Sequence, residues 1–146
     1  MSQDLIFDAS VIIPYLTSAA YEELVEGVFR RRRAFISAPV IEELYAGTRS
    51  RSDKRDVDNI YTMLMESGRI LVPTVEDWSN AGMYMARYIR HYGIIEPKDH
   101  LADVLTAILA SNHRGVLVTE NEDDFRRWQR LFRSAGKGYK MLVVRR

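Results

Sequence analysis

The stretch LIFDAS, residues 5–10, joins three apolar residues to one aspartate, Asp8, and two small residues. A short apolar run without alternation is typical of a strand that is covered on both faces in a parallel sheet. Asp8 then stands at the carboxyl end of the first strand, where open α/β sheets bind their ligands. The stretch therefore predicts both an α/β fold and a candidate functional residue.

Four further short apolar or β-branched runs follow, and longer segments of helical character separate them. The runs are AFIS at 34–37, RILV at 69–72, GVLVT at 115–119 and MLVV at 141–144. The spacers are long enough for crossover helices, so the pattern predicts an α/β domain with a mainly parallel sheet. No internal repeat, low-complexity tract or long linker divides the sequence, and we expect one domain over residues 1–146.

Residues that start or stop helices lie between these elements. Pro39 suits the first turn of the helix VIEELYAG at 40–47, which ends in glycine. Thr74 is placed to cap a helix that ends at Gly93. These signals support the division into helices and strands.

The charge is unevenly distributed although the formal net charge is only +1. Residues 126–146 hold eight Lys or Arg and no acid, whereas residues 1–125 hold 13 basic and 20 acidic residues. Further basic patches are RRRR at 30–33 and RSRSDKR at 49–55. Such asymmetry suits a phosphate-rich partner, although solvated arginines on helix surfaces explain each patch equally well.

Missing residue types exclude several classes of site. The sequence contains no cysteine, which excludes disulfides, thiolate metal ligands and a cysteine nucleophile, and fits a reducing compartment. Its three histidines, at 91, 100 and 113, lack the spacing of zinc ligands. No apolar stretch approaches the ~18 residues of a membrane span, and no secretory signal is visible. We therefore expect a cytoplasmic protein that does not bind membranes.

Asp103 is the only charged residue in LADVLTAILAS, residues 101–111. At about 100° per residue, the helix face around it holds Thr106, Ala107 and Ala110, so no side of the helix is charged. A carboxylate on such a helix has to be paired, hydrogen-bonded, protonated or bound to metal. A carboxylate near a helix N-terminus is also favoured by the helix dipole alone, and the pattern leaves both explanations open.

The helix VIEELYAG offers two glutamates, Glu42 and Glu43. Both lie about 130° from the centre of its apolar face, so periodicity does not choose between them. Gly47 follows Glu43 by four residues and would leave space beside that carboxylate, which favours Glu43. An ordinary surface glutamate is the alternative explanation.

Four polar residues, Asn121 to Asp124, follow the fourth strand within VTENEDDF. Such a loop often serves only as a helix N-cap, but its position past a parallel strand brings it to the ligand-binding edge of the sheet. Several carboxylates in one cleft repel one another and are most easily kept ionised by divalent cations. Oxygen-only ligands suit Mg²⁺ or Mn²⁺, and the basic surroundings suggest a phosphodiester substrate.

With these residues placed, the sequence resembles the PIN-domain family, and within it the VapC-like ribonuclease toxins of type II toxin-antitoxin pairs. The resemblance covers nearly the whole chain and rests on four motifs in order. They are LIFDASVII at the first strand, EELYAG with its E-L-x-x-G pattern, LADVLTAILA, and LVTENEDDF, which is similar to the family's T-x-N/D-x-x-D-F stretch. The resemblance implies a three-layer α/β/α fold with a five-stranded sheet in the order 3-2-1-4-5.

The resemblance also implies site residues by their position. Asp8, Glu43 and Asp103 match the family's three principal acids, and the E-L-x-x-G match selects the second glutamate of its helix. Asn121 falls where the family has an acidic or amide residue, and Asp124 lies nearby as a substitute. All five are candidate catalytic residues, and the first three are candidate metal ligands.

Neighbouring residues complete the candidate site. Ser10 and Thr119 match positions whose side chains hydrogen-bond the acids. Basic side chains at the rim would hold the phosphates that flank the scissile bond: Lys98, Arg126 and Arg127. For Lys98, an ordinary surface role is the favoured explanation.

The function implied by the resemblance is that of an endoribonuclease that hydrolyses RNA phosphodiester bonds with Mg or Mn. Asp8 and Asp103 would be the chief metal ligands, and Glu43 would hold the metal through water or orient the attacking water. The amide of Asn121 supplies no charge, which keeps open the alternative of a PIN-like module that binds RNA or protein without cutting. A cognate antitoxin and a homodimer are also implied.

Two amphipathic helices and one tyrosine stripe have two interpretations each. YEELVEGVF at 21–29 and DVDNIYTMLM at 56–65 either bind a partner or pack on their own sheet. Tyr84, Tyr88 and Tyr92 share one helix face and belong either to the core or to a surface on which RNA bases stack.

Other α/β folds with similar strands fit the sequence less well. A haloacid-dehalogenase-like phosphatase needs a second aspartate two residues after the first, where this chain has Ser10. A receiver domain needs an aspartate at the end of strand 3, where the sequence reads VPT. A dinucleotide-binding fold needs a glycine-rich turn after strand 1, and DASVII contains no glycine.

Overall fold

A computed structural model describes residues 3–146, and in this part of the chain five strands and seven helices are present. The strands are β1 (Leu5–Phe7), β2 (Ala34–Ser37), β3 (Ile70–Leu71), β4 (Val116–Thr119) and β5 (Lys140–Val143). The helices are α1 (Ala9–Ser18), α2 (Glu22–Arg30), α3 (Ala38–Ala46), α4 (Arg51–Glu66), α5 (Val75–Tyr92), α6 (Pro97–His113) and α7 (Glu122–Arg133). The predicted strands are confirmed, and their ends shift by no more than one residue.

The strands form a sheet in the order β3-β2-β1-β4-β5, in which each neighbouring pair is parallel. This confirms the predicted strand order. Phe7 of β1 lies opposite Val118 of β4, and the N–H of the next residue, Asp8, donates to the Val118 carbonyl at 2.9 Å. Asp8 and the loop after β4 therefore emerge side by side at one edge of the sheet.

Apolar clusters cover both faces of the sheet, because successive side chains of a strand point to opposite faces. Ile6 and Leu117 join the cluster that contains residues of α5, α6 and α7. Phe7 and Val118 join the cluster that contains residues of α1, α2, α3 and α4. The predicted three-layer α/β/α architecture is confirmed.

Helix α6 is the interior helix that its sequence predicts. The residues from Val104 to Ala110 are all buried, which explains why this segment has no charged face. The helix begins at Pro97, four residues before the quoted stretch LADVLTAILAS, because proline is well tolerated in a first helical turn.

The predicted starts of α3 and α5 are confirmed by their caps. Ser37 Oγ accepts the N–H of Val40 at 3.2 Å, and Pro39 lies in the first turn of α3. Thr74 and Asp77 form a reciprocal capping box at the start of α5. These caps fix where both helices leave the sheet.

The sequence pattern does not indicate helix α1. Its sequence, ASVIIPYLTS, contains β-branched residues and an internal proline, Pro14, and both disfavour a helix locally. Val11 and Ile12 are fully buried in the apolar cluster on that side of the sheet. Tertiary packing therefore overrides the local preference, and Asp8 becomes the residue that precedes the helix.

Helices α2 and α4 place their apolar sides against the sheet. Val25 and Val28 of α2 are buried, as are Val57, Ile60 and Leu64 of α4. Packing on their own sheet is thus confirmed for both helices, and α4 starts five residues before the predicted segment. Within residues 3–146, no helix is both long and apolar enough to cross a bilayer.

The tyrosine stripe on α5 belongs mostly to the core. Tyr84 and Tyr88 are buried, whereas Tyr92 is 38% exposed. The guanidinium of Arg127 lies over the Tyr92 ring, 5.1 Å from its centroid. The core interpretation therefore holds for the first two tyrosines, and the third covers a basic side chain.

Candidate active site

Asp8 is a buried carboxyl group, with only 4% of the residue exposed. It precedes α1 as the N-cap residue, but its side chain makes no capping hydrogen bond. Instead, Oδ2 accepts two hydrogen bonds, from Ser10 Oγ at 2.7 Å and from Thr119 Oγ1 at 2.9 Å. Two hydroxyl groups therefore orient this carboxyl group at the end of β1.

The same hydroxyl groups hold the loop that follows β4. The backbone N–H of Glu120 donates to Ser10 Oγ, and that of Asn121 donates to Thr119 Oγ1, both at 2.9 Å. Each hydroxyl thus donates to Asp8 and accepts from the loop. The position of Asn121 is in this way coupled to the orientation of Asp8.

Glu43 lies on α3 and Asp103 on α6, and a buried hydroxyl pair joins these helices. Ser37 Oγ, at the start of α3, lies 2.8 Å from Thr106 Oγ1, which is on α6 one turn after Asp103. Both hydroxyl-bearing residues are fully buried. This contact fixes the relative position of the helices that carry the two acids.

The acids share one electrostatic neighbourhood. Burial, together with the charges of Asp8 and Glu42, raises the pKa of Glu43 to about 7. Burial, together with Asp8, Glu43 and Asp124, raises the pKa of Asp103 to about 8. Burial also raises the pKa of Asp8, although the two hydroxyl donors oppose the shift. The structure therefore brings the four predicted acids close enough for their charges to interact.

Asp124 and Asn121 contact each other at the start of α7. The Asn121 side-chain amide donates to Asp124 Oδ2 at 3.3 Å. Tyr88 O–H donates to Asp124 Oδ1 at 3.4 Å, and Arg127 donates to the Tyr88 oxygen at 2.9 Å. The sequence gives no indication of this role of Tyr88, because its helical spacing is also that of a core residue.

Glu42 and Glu43 differ in burial. Glu42 is exposed and Glu43 is half-buried, so the second glutamate is the one that belongs to the acidic group. The predicted space that Gly47 would leave beside the Glu43 carboxylate is not found, however. A Cβ at that position would contact only the backbone carbonyls of Glu43 and Leu44, at 3.5 and 3.8 Å. The glycine therefore makes no room for the carboxylate.

The predicted basic rim residues differ in their contacts. Lys98 is exposed in the first turn of α6 and takes part in none of the ion pairs found in residues 3–146. Arg126 pairs with Glu122 at 3.1 Å, and Arg127 is engaged by Tyr88 and Tyr92. Lys98 is thus the rim cation with the fewest competing contacts.

Part of the basic C-terminal segment folds back on the acidic loop. Arg145 pairs with Glu122 at 2.6 Å, and Arg146 pairs with Glu120 at 2.9 Å. Tyr21 O–H also donates to Glu120. The charge asymmetry that suggests a phosphate-rich partner is therefore partly neutralised within the protein.

The donor chemistry of the site fits a hard divalent cation. The clustered side chains offer carboxylate and amide oxygens, the ligands that Mg²⁺ and Mn²⁺ prefer. Their raised pKa values reflect repulsion and burial, which a bound cation would relieve. As the side chains stand, no group of three acidic or histidine residues within residues 3–146 forms a ready coordination set.

Comparisons with known proteins agree with this architecture. A family model described as "PIN domain" matches residues 5–131. No curated protein matches the chain.

Similar folds occur in several solved structures. The chain superposes on VapBC2 from Rickettsia felis, bound to a DNA fragment from its promoter, with a TM-score of 0.66 and 16% identity over 97% of this chain and 98% of that one. DNA-bound VapBC from Salmonella typhimurium gives a TM-score of 0.66 and 17% identity, with the same coverage. FitAcB from Neisseria gonorrhoeae gives 0.65 and 18%, over 94% of this chain and 96% of that one.

Proposed function

The chain belongs to the PIN-domain family, and from this premise we propose that it is a metal-dependent endoribonuclease, the toxin of a toxin-antitoxin pair. The observation that carries the proposal is the group of four interacting acids, in which Asp8 follows β1, Asp124 lies in the helix after β4, and α3 and α6 carry the other two. Buried carboxyl groups with raised pKa values are costly to keep in a fold. Such a group in the ligand-binding edge of an α/β sheet is best explained by a cation that it binds.

Asp8 and Asp103 are the proposed principal holders of Mg or Mn, with Glu43 beside them. A divalent cation bound there would supply Lewis-acid stabilisation of the charge that develops on the phosphate, and would lower the pKa of a bound water. Ser10 and Thr119 keep Asp8 turned toward the site. Glu43 would hold the metal through a water molecule or orient the attacking water.

Asn121 and Asp124 are proposed to complete the site. Asn121 holds Asp124 through its side-chain amide, and Tyr88 holds the other Asp124 oxygen. Asp124 thereby supplies the charge that an amide at 121 does not. Lys98, Arg126 and Arg127 are the proposed contacts to phosphates that flank the scissile bond, because cations at the rim counter the charge of the RNA backbone.

The proposed partner is an antitoxin that covers the face formed by α1, α2 and α4. A hollow of about 380 Å³ on this face is lined by Tyr15, Phe29, Ile60 and Met63, among others. Met63 is 41% exposed, so an apolar helix of a partner would bury surface that is now open to solvent. Structures with a similar fold, VapBC2 and VapBC, are bound to DNA. We propose a homodimer and action in the cytoplasm, where RNA substrates are found.

Two observations favour a second function, a PIN-like module that binds RNA or protein without cutting. No three candidate ligands within residues 3–146 are already arranged around a metal position, and position 121 carries an amide rather than an acid. A binding module would keep the rim cations but would not need a loaded metal site.

The test is cleavage of a panel of structured RNAs by the purified protein in Mg²⁺ or Mn²⁺. We expect cutting that EDTA abolishes and that Asp8→Asn and Asp103→Asn each reduce by roughly 100-fold or more, since a metal stabilises the transition state by several kcal/mol. Asp123→Asn is the matched control, because Asp123 is exposed in the first turn of α7. RNA binding without cutting under any metal would favour the binding module instead.

A further inference from the structure

A groove of about 470 Å³ opens beside the candidate active site. We call it the Trp78 groove, and its lining includes Pro39, Glu42, Glu43, Trp78, Lys98 and Leu105. Its volume lies in the range of sites that hold a small organic group, roughly 300–1,000 Å³. Glu43 belongs both to this groove and to the acidic group, so the groove is continuous with the site.

Trp78 presents an unpaired aromatic ring to this groove. The residue is 51% exposed, whereas the other tryptophan, Trp128, is fully buried and packs against Tyr88 with ring centroids 4.6 Å apart. Among the ring pairs found in residues 3–146, none includes Trp78. An exposed indole beside a cleft is a surface on which a planar group can stack.

Lys98 places a cation on the same groove. It lies in the first turn of α6, five residues before Asp103, and takes part in none of the ion pairs of residues 3–146. The groove thus combines a planar aromatic surface, an uncommitted cation and an edge formed by the acidic site. A nucleotide has the matching parts, a planar base and an anionic phosphate.

We propose that the Trp78 groove holds one single-stranded nucleotide of the RNA adjacent to the scissile phosphate, with its base against Trp78 and its phosphate at Lys98. This inference rests on the proposed ribonuclease function. It adds a base-binding position to it, so the enzyme would cut RNA that is unpaired at that nucleotide. Stacking on an aromatic side chain accepts any base, and larger purines gain more from it than pyrimidines.

The experiment uses tryptophan fluorescence of the cleavage-silent Asp103→Asn protein, titrated with 12-nucleotide homopolymers of A, C and U. Only Trp78 is exposed among the two tryptophans, so stacking should quench its emission. Trp78→Ala should raise the Kd, followed for the tryptophan variants by the fluorescence anisotropy of an end-labelled homopolymer, by roughly 5- to 100-fold, the range for loss of one base stack. Trp78→Phe should abolish the quenching but keep most of the affinity, because a ring remains.

Met83→Ala is the matched control, since Met83 is a half-exposed residue of the same helix outside the groove. Cleavage of the structured RNA panel by Trp78→Ala in an otherwise unchanged protein separates the two proposals. If Trp78→Ala cuts at the parental rate and no homopolymer quenches the protein that keeps Trp78, the nucleotide position is overturned but the ribonuclease function is not. The opposite result is a protein that cuts no RNA but is quenched by homopolymers, with Trp78→Ala and Trp78→Phe changing Kd and quenching as expected. It would support the nucleotide position and overturn catalysis.

Discussion

Thr119 Oγ1 donates to Oδ2 of Asp8 at 2.9 Å, joining the ends of two neighbouring strands, β1 and β4. The same oxygen accepts the backbone N–H of Asn121 at 2.9 Å. One hydroxyl group therefore orients a buried carboxyl group and holds Asn121, the residue that precedes α7.

Replacing Thr119 by valine keeps the shape of the side chain and removes both hydrogen bonds. We expect Mn²⁺ affinity and RNA cleavage to fall by roughly 10- to 100-fold, as is usual when a group that orients a metal ligand is lost. The free energy of unfolding should fall by about 1–3 kcal/mol, because the Asn121 N–H loses its partner. Isothermal titration calorimetry and urea denaturation measure the two effects. Thr17→Val is the control, since the exposed Thr17 hydroxyl hydrogen-bonds to the Ile13 carbonyl within α1. Unchanged Mn²⁺ affinity in Thr119→Val would refute the orienting role of Thr119.

The α/β class could be predicted from the sequence because each strand is a short apolar run at a crossover distance from the next, whereas the strand order was implied by the family resemblance. Asp8 could be identified as a candidate because its position at a strand end is a local feature. Contacts between distant residues could not be predicted, since no local pattern states which side chains meet. Ser37 and Thr106 are 69 residues apart, and Tyr88 and Asp124 are 36 apart. Helix α1 could not be predicted because burial, rather than helix propensity, stabilises it.

The protonation of Glu43 and Asp103 predicts how metal binding depends on pH. Their pKa values rise from 4.5 and 3.8 to about 7 and about 8, so the metal-free folded protein favours the protonated forms. A cation has to displace these protons. We therefore expect Mn²⁺ affinity to increase as the pH rises from 6 to 9, and titration calorimetry at several pH values measures it. The increase should be smaller in Asp103→Asn, and an affinity independent of pH would contradict the prediction.

The same shifts predict the stability of the metal-free protein. Both folded-state pKa values lie above the unfolded-state values, so the folded state binds protons more tightly. The stabilising contribution of these groups is fully present below pH about 4 and is lost as the pH rises to about 8. Urea denaturation in EDTA should show that the free energy of unfolding declines with rising pH, and Asp103→Asn should make this decline less steep. A slope that the substitution leaves unchanged would show that Asp103 does not titrate in this window.

The buried pair of Ser37 and Thr106 predicts strong coupling between two substitutions. Ser37→Ala removes both the contact to Thr106 and the cap on the Val40 N–H, and should cost about 1–3 kcal/mol of unfolding free energy. Thr106→Val should cost a similar amount, because it leaves the serine hydroxyl without that partner. The double variant should cost less than the sum of the two, since neither hydroxyl is then left alone. Additive costs in urea denaturation would mean that the contact contributes nothing.

Replacement by alanine should have opposite effects on stability at Gly115 and at Gly82. A Cβ at Gly115 would lie 3.0 Å from the carbonyl oxygen of Asp4 and from Ile6 Cδ1. That carbonyl accepts the N–H of Val116 at 2.9 Å, so it cannot retreat without weakening the pairing of β1 with β4. Gly115→Ala should therefore destabilise the protein by about 1–3 kcal/mol, the cost of overpacking a close contact.

Gly82 provides the comparison, because it is exposed within α5 and a Cβ there would have no atom within 4 Å. Gly82→Ala should stabilise the protein by about 0.5–1 kcal/mol, since alanine loses less conformational freedom in a helix. Urea denaturation of both variants measures the difference. Because β4 leads directly to Thr119, Gly115→Ala should also lower Mn²⁺ affinity, whereas Gly82→Ala should not. Equal stability of the two variants would show that the start of β4 can move away from β1 without cost.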